Sequence, residues 1–194
     1  SIASLQQAGE EIRSLGREPS GTVRIGLPGT ISGILSVPLI ARSLDLYPRI
    51  KIIIAEAMSG FVHEWLQEGR VELAVLYAEP REAGIHSEAL LEEELVMLLP
   101  PGFGDAPAVR LGALAGMPLI LPSAAHGLRT MVDRALRAGG IDWEPAIEVD
   151  SYGSIKSLVA SGYGCSILPF HAAAADAAAG RIAVARLEEP QLWR

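Results

Sequence analysis

One cysteine, Cys165, is too few for an internal disulfide and for the paired thiols of a zinc or redox motif. Such scarcity fits a reducing compartment. Lysine is almost as rare: Lys51 and Lys156 are the only two, and arginine supplies the remaining positive charge, which reads as coding bias and not as a site. No run of Lys or Arg makes a basic patch, and the formal net charge is -7, so these residues are not expected to grip a phosphate backbone by themselves. Aromatics are 5% of the chain, which predicts an aliphatic core. No stretch reaches the roughly 20 apolar residues of a membrane span. The start, Ser1-Ile2-Ala3-Ser4-Leu5-Gln6, has neither the basic leader nor the apolar run of a signal peptide. A cytoplasmic protein with no membrane partner is the expectation.

What is present is globular in balance, with 49% hydrophobic and 20% charged residues. A length of 194 residues suffices for one core or two small lobes. Ile2, Leu5, Ala8, Ile12 and Leu15 recur at steps of three and four, the apolar stripe of a short helix that wants a partner, in another chain or in its own domain. Gly16 to Gly21, with Pro19, reads as a linker. From Thr22 the pattern becomes α/β. Strands are expected at 22–27, 50–55 and 73–77, the last two buried, with helices at 31–46 (kinked or begun at Pro38) and 60–67. The second half repeats the plan, with strands at 118–121, 146–149 and 165–168 and helices at 127–138 and 154–160. The apolar segment from Ile85 to Pro100 reads as an extended crossover. Two β-α-β-α-β halves, each a mainly parallel sheet flanked by helices, predict a hinged two-lobed clamshell.

No catalytic constellation emerges. His63-Glu64 begins like a zinc-protease motif, but the partner position holds Gln67. Gly162-Tyr163-Gly164-Cys165-Ser166 lacks the glycine flanks of a nucleophile elbow and fits a helix-to-strand turn. Glu92-Glu93-Glu94 reads as a solvated charge run. No metal site, cofactor site or enzyme activity is expected. What stands out is a set of small, hydroxyl-bearing turns between strand ends and helix starts: 28–32, 58–60, 123–127 and 150–154. In a parallel sheet such turns share the carboxyl edge, where open α/β folds bind ligands. Unpaired N–H groups at helix starts favour an anion there, although Ser and Thr are also ordinary N-caps.

The order and spacing of several stretches resemble the effector-binding region of LysR-type regulators from about Gly21 onward. Gly21-Thr22-Val23-Arg24-Ile25-Gly26 is similar to that family's opening strand, and Tyr47-Pro48 with Ile50 to Glu56 to its second. Leu66, Gly69 and Val71-Glu72-Leu73-Ala74-Val75 resemble its helix-to-strand passage. Leu158-Val159-Ala160, Gly162-Tyr163-Gly164 and Ile167-Leu168-Pro169 resemble the end of its second lobe. Pro28-Gly29-Thr30, and Leu73 to Tyr77 followed by Ser87-Glu88-Ala89-Leu90-Leu91, look nearest the nitrogen-assimilation-control branch.

The resemblance implies a type II periplasmic-binding-like fold. Residues 1–20 would be the end of a dimerising linker helix and a linker, 21–92 plus 189–194 lobe I, and 93–188 lobe II. It implies a small, anionic effector held near Thr30, Ser32, Ser59, Ser123, His126 and Ser151. Partners would be a second copy of the chain, as homodimer or homotetramer, and operator DNA reached only through a winged helix-turn-helix expected before residue 1. At Leu192-Trp193-Arg194 the family usually continues with a strand and a helix. A solute-binding protein for transport is the competing class, since it shares the clamshell plan.

Overall fold

Parallel pairing of two runs rich in β-branched residues organises the first part of the chain. β1 (Gly21–Pro28) lies beside β2 (Ile50–Ala57) in unbroken register from Gly21↔Ile50 to Pro28↔Ala57. The computed structural model describes residues 18–103 and 107–194. The stripe at residues 2–15 therefore lies outside the described residues.

Between the two strands runs α1 (Gly29–Leu46), one helix with Pro38 in its interior instead of a start or break there. Pro38 lacks the N–H that would bond the carbonyl of Ile34, and both residues lie on the exposed face of the helix, where an unpaired carbonyl costs less than in a core. α2 (Ser59–Gln67) leads to β3 (Leu73–Ala74), which pairs with the other side of β1 and gives the sheet order β2-β1-β3. Ile25, Leu27, Val62 and Val71 form the buried centre. Gly26 packs closely there: a Cβ would stand 3.0 Å from the Val62 side chain of α2, which would have to shift.

Two expectations for these strands fail. β3 is two residues long with Leu73 exposed, and Lys51 and Ile53 of β2 are exposed too. β2 and β3 are the edges of a three-stranded sheet, whereas full burial needs neighbours and cover on both faces.

The chain divides into two compact units between Leu76 and Tyr77. The segment 77–92 and the tail 189–194, assigned to lobe I by sequence, thus fall within the second unit. There the apolar run read as a crossover contains β4 (Glu94–Leu99), whose last five residues are fully buried. It is the central strand of the larger sheet. β8 (Ser166–Pro169) pairs antiparallel with β4 on one side. On the other side β9 (Ala183–Glu188) pairs antiparallel with Val96–Leu99, and β10 (Leu192–Trp193) with Glu94 and Leu95. β5 (Ala108–Arg110) adds to β9 in parallel.

β6 (Leu119–Leu121) and β7 (Pro145–Glu148) pair in parallel, and the bridge Leu119↔Cys165 joins them to the start of β8. α3 (Gly127–Ala138), α4 (Tyr152–Ala160) and α5 (Phe170–Ala178) complete the unit. Its core is aliphatic as expected, from Leu95–Leu99, Leu119–Leu121, Leu128, Val132, Ile155, Val159 and Ile167, with one buried indole. That indole, Trp143, donates to the carbonyl of Met117 at 2.9 Å, which satisfies its one polar atom.

Candidate functional site

Parallel pairing sets the strand ends, and these place the turns. In the first unit Pro28↔Ala57 closes the β1–β2 register, so the starts of α1 and α2 follow from neighbouring strand ends. Thr30 and Ser59 sit in those first helical turns, Thr30 buried and Ser59 partly so. Ser32 is buried, and its hydroxyl lies 3.0 Å from that of Ser36 one turn along α1. A carboxylate oxygen of Glu56 lies 3.3 Å from where a Gly29 side chain would begin, so an acid flanks this turn.

In the second unit Leu121↔Glu148 closes the β6–β7 register, and the N–H of Val149 donates to the carbonyl of Leu121. Ser123 and Asp150 follow on adjacent turns. The backbone N–H of Ser123 donates to one Asp150 oxygen at 2.8 Å, and its hydroxyl to the other at 3.0 Å. These two bonds hold the Asp150 carboxyl below its ordinary range, the backbone donor contributing most. An internal carboxylate thus occupies donors that the sequence suggested for a ligand anion. Arg129 of α3 ties together the segments that lead into these turns. It donates to the Pro122 carbonyl at 3.2 Å, to Glu148 at 2.7 Å and to Asp133 at 2.9 Å.

His126 precedes α3, and its Nε2 lies 3.6 Å from Asp150, too far for a hydrogen bond. That nitrogen is buried without a hydrogen-bond partner. Burial lowers the His126 pKa, and the Arg194 charge adds to this while Asp150 opposes it, so the ring is neutral near pH 7. The ring of Tyr152 lies 5.9 Å from that of His126. Ser151 caps α4 by accepting the N–H of Ser154 at 3.2 Å.

Three residues here were missed by sequence reading. Glu93 lies in the acidic run read as solvated, yet it is buried at 6% exposure, as the residue leading into β4. Its carboxylate pairs with the Arg194 guanidinium and lies 2.7 Å from Nδ1 of His171, an approach in distance without the alignment of a hydrogen bond. The backbones of Glu93 and Arg194 exchange hydrogen bonds of 2.7 and 2.9 Å. Arg194 also stacks over Tyr77, 3.6 Å from the ring centre, and meets the Tyr152 hydroxyl. Burial raises the Tyr152 pKa against that positive charge. His171 is lowered by burial, with Glu93 opposing and Arg194 reinforcing the shift. The signal for Glu93 was its place two residues ahead of the five consecutive apolar residues Leu95–Leu99, with only Glu94 between. Nothing in the sequence joins it to positions 171 and 194.

Among the described residues no group of three metal-ligating side chains occurs. The thiol of Cys165 is buried and pushed up to about 12, which removes it as a nucleophile. Among the described residues no helix is long and apolar enough to cross a membrane.

The LysR substrate binding domain family matches residues 16–194. The chain belongs to that family. Its fold is the type II periplasmic-binding-like α/β fold. It is 31% identical to the nitrogen assimilation regulatory protein nac of Escherichia coli K12 over 175 residues, 89% of this chain and 56% of that protein. It is 30% identical to the nac protein of Klebsiella aerogenes, over 98% of this chain and 63% of that one. The LysR chain thus spans about three fifths of these relatives. Among solved structures, the effector binding domain of QuiR in complex with shikimate superposes with a TM-score of 0.81 at 20% identity, over 91% of this chain and 85% of that one. HinK, a LysR family transcriptional regulator from Pseudomonas aeruginosa, gives 0.72 at 26% identity, over 87% and 59%.

Proposed function

We propose that this LysR-family chain is the effector-sensing and oligomerisation module of a DNA-binding transcription regulator, acting in the cytoplasm by binding and not by catalysis. The observation that carries the reading is the family match over residues 16–194, together with relatives at about 30% identity that are themselves regulators. They favour a regulator over the transport alternative. The net charge of -7 supports assigning DNA contact to residues outside this chain.

The ligand is a small metabolite; Thr30 and Ser59 of the first unit, and Ser123 and His126 of the second, are proposed as effector-contacting residues, each pair at the strand ends of its own unit. Helix starts at Thr30 and Ser59 suit a carboxylate or other anion. Ser32 and Ser151 belong to the same turns and shape them through local hydrogen bonds.

Self-association is proposed to use α1. Ile34, Val37 and Leu44 form an exposed apolar stripe at steps of three and seven, with Val37 78% exposed. The exposed face of α3, with Thr130, Arg134 and Arg137, is polar and suits the rim of such a contact.

The deciding experiment is footprinting of the complete gene product on its own upstream DNA, with and without a cellular metabolite extract. Protection that the extract alters is expected. A complete product that leaves that DNA unprotected overturns the regulator reading.

A further inference from the structure

We infer that the Ser123–Asp150 turn of the second unit recognises a hydrogen-bond-donating group of the effector, a hydroxyl or an ammonium, with Asp150 as its acceptor and Nε2 of His126 beside it. The inference rests on the effector-binding reading and names the ligand chemistry at one turn of that site.

Each Asp150 oxygen accepts one bond from Ser123, and a carboxylate offers about four acceptor positions, so two are left. The side chain is 46% exposed, so the free positions are open to a ligand. A second anion at this turn would find Ser123's two donors already given to Asp150 and a like charge in place. His126 supplies an independent observation: its side chain is 15% exposed, and its Nε2 is buried and unbonded 3.6 Å from Asp150. A hydroxyl or ammonium placed against the exposed Asp150 carboxylate gives it a hydrogen, next to the covered, unpartnered Nε2 of His126. The ring of Tyr152 stands beside His126 and gives the turn an apolar wall.

The test is an amide-shift titration of the 194-residue protein with matched acids: succinate, L-malate and L-aspartate, then propionate, L-lactate and L-alanine. In each triple the hydroxy or amino acid is expected to shift the amides of Ser123, Asp150 and Tyr152, and the unsubstituted acid to leave them in place. The malate and aspartate arms separate a hydroxyl from an ammonium. Asp150→Asn keeps the carbonyl oxygen for the Ser123 N–H and should weaken the response about tenfold. His126→Phe keeps a ring beside Tyr152 and should weaken it as well. A dispersed parent-like spectrum for both variants separates lost recognition from lost folding.

Equal shifts from the unsubstituted acids, an undiminished response in Asp150→Asn, or no shift at these amides from any substituted acid overturns the inference. Each of those results leaves the DNA-protection test of the regulator reading standing on its own.

Discussion

Gly164 is the position where one added methyl group should cost the most. It lies between α4 and β8, and a Cβ there would stand 2.2 Å from the carbonyl oxygen of Pro118 and 3.2 Å from the Pro118 Cβ. That carbonyl cannot swing aside freely, because it accepts the N–H of Cys165 at 2.9 Å. Ile120 in turn donates to the carbonyl of Cys165 at 2.8 Å, and these two bonds are the seam between β6 and β8. Gly164→Ala must open that seam. Overpacking of this kind costs about 1–3 kcal/mol, and each weakened hydrogen bond about 0.5–1.5 kcal/mol. The expected loss is therefore about 2–6 kcal/mol, and a loss of about 3 kcal/mol lowers Tm by about 6–12 °C at this chain length. Urea unfolding followed by circular dichroism at constant slope gives the difference directly. Gly33→Ala is the control: it sits inside α1 with nothing within 4 Å of the new carbon, so it should stabilise by about 0.5–1 kcal/mol. A Gly164→Ala protein within about 0.5 kcal/mol of the parent would refute the argument, since ordinary surface substitutions fall in that range.

Four further outcomes are expected. His126 and His171 both have folded pKa values below the ordinary 6.5, so the unfolded chain binds more protons as the pH falls; stability should be full above pH 6.5 and decline as the pH drops toward the depressed folded values. His171→Leu should flatten part of that decline in urea titrations, and an unchanged slope would show that His171 does not contribute. Cys165 should react with an aromatic disulfide reagent only when the protein unfolds, its thiol being buried and pushed up to about 12; rapid labelling of the native protein would contradict this. Val37→Glu should shift sedimentation toward monomer while leaving the melting temperature nearly unchanged, because the side chain is exposed in the single chain. The 194 residues alone should fail to retard operator DNA specifically even at low salt, given their net charge of -7.

The sequence alone carried the local decisions. Runs such as Ile50–Ile54 select strands because β-branched side chains suit a pleated surface, and Gly69, Gly140 and Gly162 follow helix ends in the left-handed backbone region that favours glycine. The alternation of these elements was enough for the α/β class, and the ordered stretches from Gly21 to Pro169 were enough for the family. It also placed Thr30, Ser59, Ser123 and His126 at strand ends, since position along an α/β unit fixes which residues reach the carboxyl edge.

Tertiary structure decided everything that joins distant residues. Leu95–Leu99 is apolar on both faces, and only the pairing with β8 and β9 turns a supposed crossover into the central strand of the second unit. Glu93 reads as one of three solvated acids until β10 brings Arg194 alongside it, 101 positions away, and α5 brings His171. Asp150 claims the donors of Ser123 because the ends of β6 and β7 are in register, a fact of pairing that no local pattern encodes. Helix and strand preferences act over a few residues. A buried charge needs its partner from another part of the chain, so its identity waits for the fold.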